Sequence, residues 1–243
     1  MDKTYEEKYH QLEETNWWYE ARRDMVLKLL SNNSKQSNIL ELGCAGGPLL
    51  RKLATLGFEH VQGIDISEAA ISVCRKRGIM NAQVMDGTRL DFPDQHFDLL
   101  IASDVLEHIE AEEKALQEWN RVLKPGGQAI IFVPAFQWMW SGHDEVNHHF
   151  RRYTRNELVE KLMQNGFRVT RSSYWNLALF FPAGAIRLIL RNFSSSEMDK
   201  NQHPKINPLV NDFLVNLIKM ENRFLEKVNF PVGVSTFAVA KKL

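Results

Sequence analysis

The chain has 243 residues, with 30 lysines and arginines against 30 aspartates and glutamates, and two cysteines. That length suits one α/β domain with an appendage better than two full domains, and the balanced charge supplies no positive field for a nucleic-acid backbone, so no nucleic-acid partner is expected. Cys44 and Cys74 make neither a CxxC pair nor a disulfide framework, and Met1 to Tyr19 is charged and aromatic, unlike a signal peptide or a spanning segment; a cytoplasmic location is the expectation.

Residues 5 to 30 are predicted helical, with Val26, Leu27, Leu29 and Leu30 on the apolar face and Ser31-Asn32-Asn33-Ser34 as the stop. Trp17 and Trp18 are adjacent and cannot share one helical stripe. Residues 1–37 thus read as an N-terminal helical cap, either packed on a sheet edge or closing a crevice with Arg22 or Arg23 reaching a carboxylate.

Residues 38–50 then run from an apolar strand (Ile39, Leu40, Leu42) through Gly43-Cys44-Ala45-Gly46-Gly47 into a helix opened by Pro48, where proline's fixed φ costs nothing. Strand, glycine turn and helix form the nucleoside-binding crevice of a doubly wound sheet. Leu49, Leu50, Leu53 and Leu56 keep helical spacing up to Gly57. A second strand, His60 to Asp65, leads to Ser67, placed to cap the next helix. Asp65 falls about 20 residues beyond the glycine turn, where an acid binds ribose hydroxyls.

Ala82 to Met85 is a third strand before Asp86-Gly87, and Phe97 to Ser103 a fourth before Asp104, Glu107 and His108. Ala115, Leu116, Trp119, Val122 and Leu123 form a helical stripe, after which Lys124-Pro125-Gly126-Gly127 turns into a fifth strand, Gln128 to Val133. Alternating strands and helices imply a parallel sheet with right-handed crossovers. Glu41, Asp65, Asp86 and Asp104 all fall at strand carboxyl ends. A pyrophosphate beside Glu41 would meet like charge, whereas a cationic nucleoside is welcome there; S-adenosylmethionine fits better than a nicotinamide dinucleotide, which leaves a dehydrogenase as the outside alternative.

The ordered motifs Glu41-Leu42-Gly43-Cys44-Ala45-Gly46-Gly47, Gly63-Ile64-Asp65-Ile66-Ser67, Asp86-Gly87, Ser103-Asp104-Val105-Leu106-Glu107-His108 and Leu123-Lys124-Pro125-Gly126-Gly127 resemble the class I S-adenosylmethionine-dependent methyltransferases over residues 38 to about 133. The resemblance implies a doubly wound, Rossmann-like seven-stranded α/β sheet. It also implies a donor site of Glu41, Gly43, Cys44, Ala45, Gly46, Gly47, Asp65, Ile66, Asp86, Gly87, Ser103 and Asp104, with S-adenosylhomocysteine as product. Ala45 departs from the commonest form of the first motif, which has glycine there. Transfer from an activated donor needs alignment and exclusion of water; a base is wanted only where the acceptor loses a proton. His108 is one candidate base.

Trp138 to Thr154 concentrates aromatic, basic and histidine residues on the crevice side. An acceptor-binding loop is expected, with His143 and His148 as further candidate bases, and Trp18, Arg22, Trp140, His143, Arg151, Arg152 and Tyr153 as substrate-binding residues. His143, Asp144, His148 and His149 match no standard metal pattern, and no metal is expected. Trp140-Ser-Gly-His-Asp, with His149-Phe-Arg-Arg-Tyr-Thr, is similar to a bacterial methyltransferase subgroup associated with small-molecule and surface-glycan pathways.

Thr154 caps a helix ending at Gly166, and a sixth strand, Phe167 to about Tyr174, should pair with a last strand, Ser235 to Ala240. The core is thus 38–176 plus 234–243, with a helical insertion at 177–233. Leu177 to Leu190 is apolar but shorter than a bilayer span; Leu209 to Val228 carries a continuous helical stripe, and the polar Arg191 to Pro208 between them is expected to be mobile. The insertion is expected to cap the acceptor, or to touch a membrane surface or a second copy of the chain. A small-molecule methyltransferase acting at oxygen is the leading expectation; a non-catalytic S-adenosylmethionine-binding module docking a partner is the alternative.

Overall fold

Strands whose central members are buried on both faces assemble into one sheet: β1 (Asn38–Leu42), β2 (His60–Asp65), β3 (Ala82–Val84), β4 (Phe97–Ser103), β5 (Leu123–Pro134), β6 (Phe167–Trp175) and β7 (Ser235–Lys242), in the order β3-β2-β1-β4-β5-β7-β6. The first five pair in parallel, and β7 enters antiparallel between β5 and β6. The computed structural model describes residues 12–191 and 206–243. Residues 5–11 of the expected first helix, and residues 192–205 of the polar stretch, lie outside the described residues.

Around the sheet lie α1 (Trp17–Leu29), α2 (Pro48–Thr55), α3 (Glu68–Lys76), α4 (Glu112–Val122), α5 (Gly142–Val146), α6 (Arg155–Gln164), α7 (Phe180–Arg191) and α8 (Pro208–Leu225). On one face Ile39, Leu99, Ile101, Ile130, Phe132 and Phe237 meet Ala21, Met25 and Val26 of α1 and Ile218 and Leu225 of α8. The alternate residues Leu40, Leu42, Leu100, Ala129 and Ile131 meet Leu116 and Trp119 of α4 and Leu158 and Leu162 of α6. Each such side chain contributes about 1.5–3 kcal/mol, so a one-residue slip, which would exchange the faces, is strongly disfavoured.

The expected turn at Lys124 to Gly127 is instead a bulge inside β5: Phe97 pairs with Leu123 and Leu99 with Gln128, leaving four residues outside the ladder. Gly126 takes φ +74° there.

The N-terminal helix and the insertion are joined by polar clamps. Asn222 on α8 donates to the Ala21 carbonyl at 2.9 Å and to Asp24 at 2.8 Å while accepting from Trp175 Nε1 at 2.8 Å. Asn211 accepts from Trp17 N at 2.8 Å. Glu221 accepts from Leu177 N at 3.0 Å and Ala178 N at 2.7 Å, just ahead of α7. These contacts hold α1 and α8 against one sheet face and place the start of α1 at the carboxyl ends of the strands.

Candidate functional site

The strand ends open into one crevice of about 1030 Å³, at the top of the roughly 300–1,000 Å³ usual for one small ligand. Glu41 is the penultimate residue of β1, Asp65 ends β2, Asp86 follows β3, and Ser103 and Asp104 lie at the end of β4. All five line the crevice with Gly43, Cys44, Ala45, Ile66 and Gly87; Gly46 and Gly47 stand behind it.

Backbone geometry makes this cradle. Gly43 takes φ +65°, and a Cβ there would fall 2.6 Å from Val105 Cγ2, so only glycine fits. Ala45 takes φ +48° without being glycine, at a cost of about 1–2 kcal/mol. Its N–H donates to Asp65 Oδ2 at 2.9 Å, and Asp65 Oδ1 accepts from Ser67 N at 2.9 Å. Asp65 thereby ties the glycine turn to the start of α3, where Ser67 accepts from Ala70 N at 3.2 Å. Relief of the Ala45 strain exceeds glycine's added chain entropy of about 0.5–1 kcal/mol. Ala45→Gly is therefore expected to raise stability by about 0.5–1 kcal/mol in urea melts, and a loss of stability would contradict the strain.

Glu41 is buried and its Oε2 has no hydrogen-bond partner. Burial, then Cys74 and Asp65, push its pKa well above the carboxylate range, with Arg23 opposing. The segment before α1 folds back over the turn: Glu13 accepts from Gly46 N at 3.2 Å and pairs with Arg77 at 2.5 Å. Glu13 carries no motif, and only the fold brings it to the glycines.

On the opposite side, Arg22 pairs with Asp104 at 3.0 Å and donates to Ser235 Oγ at 2.8 Å. Its guanidinium lies over the rings of Trp175 (4.2 Å), Phe132 (4.4 Å) and Trp18 (5.2 Å). Trp18, Arg22, His108, His143, His148, His149, Phe150, Arg152 and Arg187 all line the crevice.

Asp144 organises the loop. Its carboxylate accepts from His149 Nδ1 at 2.8 Å and from Arg152 Nε and Nη2 at 2.8 and 3.0 Å, and caps α5 through Ser141 N at 2.9 Å. Burial raises its pKa, but the His149 hydrogen bond and the Arg152 charge outweigh that and hold it far below the usual range. Arg152 also donates to the Ala135 carbonyl at 3.0 Å, which binds it into the crevice wall.

Three residues expected to bind substrate do not line the crevice: Trp140, Arg151 and Tyr153. For Arg151 and Tyr153 the cause is Glu112, which accepts from the buried Tyr153 hydroxyl at 2.7 Å and pairs with Arg151 at 2.9 Å. Of the histidines, His108 opens onto the crevice; desolvation by its walls, then the His149 charge, lower its pKa to about 4, with a hydrogen bond donated to the Asn147 backbone carbonyl opposing. The His108 and His149 rings meet edge to face with centroids 4.5 Å apart. Glu107 is wholly buried beside them with neither carboxylate oxygen partnered, and burial, then Asp104, push its pKa well up. Ligand atoms of Glu107, His108 and His149 lie within 4.8 Å of one another. The grouping anticipated from spacing, His143 with Asp144, His148 and His149, does not form, since Asp144 is taken by Arg152 and His149. The sequence held one signal for Glu107, its adjacency to His108; His149 is brought there only by the fold.

Residues 40–131 match a family of methyltransferase domains. The chain is 29% identical over 188 residues to a probable S-adenosylmethionine-dependent methyltransferase of Mycolicibacterium smegmatis, covering 76% of this chain and 70% of that one. It is 33% identical over 138 residues to the ubiquinone biosynthesis O-methyltransferase of Aromatoleum aromaticum, covering 53% of each. To the probable tRNA methyltransferase 9B of Homo sapiens it is 31% identical over 130 residues, 52% of this chain but only 26% of that one. The fold resembles a Haloferax volcanii putative methyltransferase solved in complex with the Trm112 methyltransferase activator, with TM-score 0.64 and 18% identity over 97% of this chain and 93% of that one. The motif order, the seven-stranded sheet with its antiparallel β7 and the family match agree, and the chain belongs to the class I S-adenosylmethionine-dependent methyltransferases.

Proposed function

We propose that this methyltransferase acts on a small-molecule acceptor, at oxygen. The observation carrying this reading is the two-sided chemistry of a single crevice. Carboxylates line the floor at the strand ends, suited to a cationic donor, while imidazoles and arginines line the opposite wall, suited to an acceptor that loses a proton. On the donor side, Glu41 with its unpartnered oxygen would take the ammonium. The backbone from Gly43 to Ala45 would approach the methionine portion, Asp65 the ribose hydroxyls, and Asp86 the adenine amine beside Ile66 and Gly87. Ser103 and Asp104 would close the reacting end. His108, His143 and His148 remain candidates near the acceptor, joined by His149, which Asp144 holds in one tautomer.

The O-methyltransferase relative supports oxygen as acceptor. The tRNA methyltransferase relative shares only a quarter of its length with this chain, and the balanced charge of 30 against 30 argues against a phosphate backbone as partner. Incubation with methyl-labelled donor and fractionated extract is the test. Label in a small-molecule fraction, with a methyl ether or ester in the purified product, is expected; label in RNA or protein, or on nitrogen, would overturn the reading.

The insertion suits a lipophilic acceptor delivered at a membrane surface. Phe181, Ile186 and Leu188 on α7, and Leu209, Phe213 and Phe224 on α8, are exposed, and among the described residues no helix is long and apolar enough to cross a membrane. Peripheral contact predicts cosedimentation with anionic vesicles that falls several-fold in Phe213→Ser/Phe224→Ser. Equal binding by the double variant would remove the insertion from that role, and a concentration-dependent dimer without vesicle binding would assign the face to a second copy.

A further inference from the structure

We propose that Glu107, His108 and His149 bind a divalent first-row transition-metal cation on the acceptor side of the crevice. Two imidazoles and one carboxylate converging on a cavity with open positions are a donor set that such cations favour. Their ligand atoms already lie within 4.8 Å of one another. Metal–ligand distances of about 2.0–2.2 Å set separations of about 3–4 Å between ligands, so small side-chain rotations complete the site.

Two independent features point to a cation. First, Glu107 has no exposed surface, and neither of its oxygens has a hydrogen-bond partner. A carboxylate buried in that way must hold a proton or meet a positive charge. Arg22 pairs with Asp104 and donates to Ser235, and Arg152 is bound by Asp144 and the Ala135 carbonyl; their charges act on Glu107, yet neither arginine donates a hydrogen bond to it. Second, His149 carries the outer hydrogen bond found behind metal-binding histidines: Nδ1–H donates to Asp144 at 2.8 Å, which leaves the Nε2 lone pair for a ligand. Asp144 is itself fixed by Arg152 and Ser141, so the imidazole is oriented before anything binds.

The role that follows rests on the oxygen-acceptor reading above. A hydroxyl oxygen bound to the cation loses its proton to solvent more readily, as metal-bound water does. A lone pair of that oxygen then forms the new O–C bond to the donor methyl as the C–S bond breaks and its electron pair returns to sulfur, turning the sulfonium into a neutral thioether. The acceptor class is a hydroxyl compound able to ligate a metal, best served by a second oxygen beside the first.

The test titrates tag-free, chelator-treated protein with Co²⁺ and follows visible absorption, with calorimetry giving the stoichiometry. One Co²⁺ per chain is expected, with affinity reduced at least tenfold in Glu107→Gln, His108→Ala and His149→Ala and unchanged in His148→Ala, each variant being checked by cooperative melting. His108 is on an open wall, so its variant keeps the test decisive if a buried one fails to fold. Absence of binding, equal binding in the three variants, or loss in His148→Ala instead overturns the proposal. Calorimetry with S-adenosylmethionine runs in parallel. Donor binding without metal binding refutes the cation site and leaves the methyltransferase assignment standing. Metal binding together with a product methylated on nitrogen refutes the oxygen reading and its metal-bound hydroxyl step, and leaves the site.

Discussion

Replacing Asp144 with alanine is expected to lower the free energy of unfolding by about 3–5 kcal/mol, the cost of leaving a buried charge without its partner, and to move the melting midpoint by roughly 10 °C. The carboxylate is inaccessible and takes five hydrogen bonds, from His149, two Arg152 nitrogens, and the backbone N–H and hydroxyl of Ser141. Without it the Arg152 guanidinium, itself 6% exposed, keeps the Ala135 carbonyl and the nearby Glu107 carboxyl against the positive charge of Arg187, whose pKa burial, then Arg152, lower to about 10. The acceptor wall loses its frame at the same time. Asp144→Asn keeps the shape but not the charge and should fall between wild type and alanine. The double variant Asp144→Ala/Arg152→Met should be less damaged than the sum of its parts, because it strands no charge. Denaturant titrations of these four proteins and of Arg152→Met decide the matter; an alanine effect below about 1 kcal/mol, the worth of an exposed pair, would show that the network is not desolvated.

The floor of the crevice was legible in the sequence because each of its residues announces itself locally. Gly43 is forced by a left-handed turn and a close neighbour, Asp65 by its place at a strand end, Ser67 by the cap it makes. The expectation that Arg22 or Arg23 would reach a carboxylate is met by Arg22 and Asp104. The acceptor wall was less legible, since the same local pattern of basic, aromatic and histidine residues can face either way. Glu112, forty residues upstream on α4, draws Arg151 and Tyr153 off the crevice, and nothing near either residue foretells it. Asp144 reads as one more acid in a loop until the fold gives it Arg152 and His149. Glu13 is one of several acids in a charged N-terminal stretch, and only tertiary contact selects it for Gly46 and Arg77. The bulge at Lys124 to Gly127 carries turn residues because the backbone does turn there, yet the ladder resumes on both sides of it.

Donor affinity is expected to rise with pH and to do so through Glu41. In the ligand-free protein its pKa lies well above the carboxylate value because burial, and then Cys74 and Asp65, disfavour the charge, with Arg23 opposing and Glu13 adding to the shift. A folded-state pKa above the unfolded one means that the folded chain holds this proton more tightly. The stability it contributes is complete below the unfolded value of about 4.3 and is lost as pH rises through the folded value. An ammonium placed against the unpartnered Oε2 reverses the preference, so donor binding releases a proton. Affinity then climbs with pH up to the folded pKa and levels off above it. Hydrogen bonds to a charged group contribute about 1.5–3 kcal/mol, so on that plateau Glu41→Gln should bind the donor roughly 10–100-fold more weakly. The gap should shrink as pH falls, since wild-type Glu41 becomes as neutral as the glutamine, and the variant's stability should lose the wild type's decline with rising pH. Calorimetry in buffers of different ionisation enthalpy measures the released proton directly. S-adenosylhomocysteine, which lacks the sulfonium charge but keeps the ammonium, should release it too. A gap independent of pH, or no proton release with either ligand, would move the ammonium away from Glu41 and leave its burial without a functional reason.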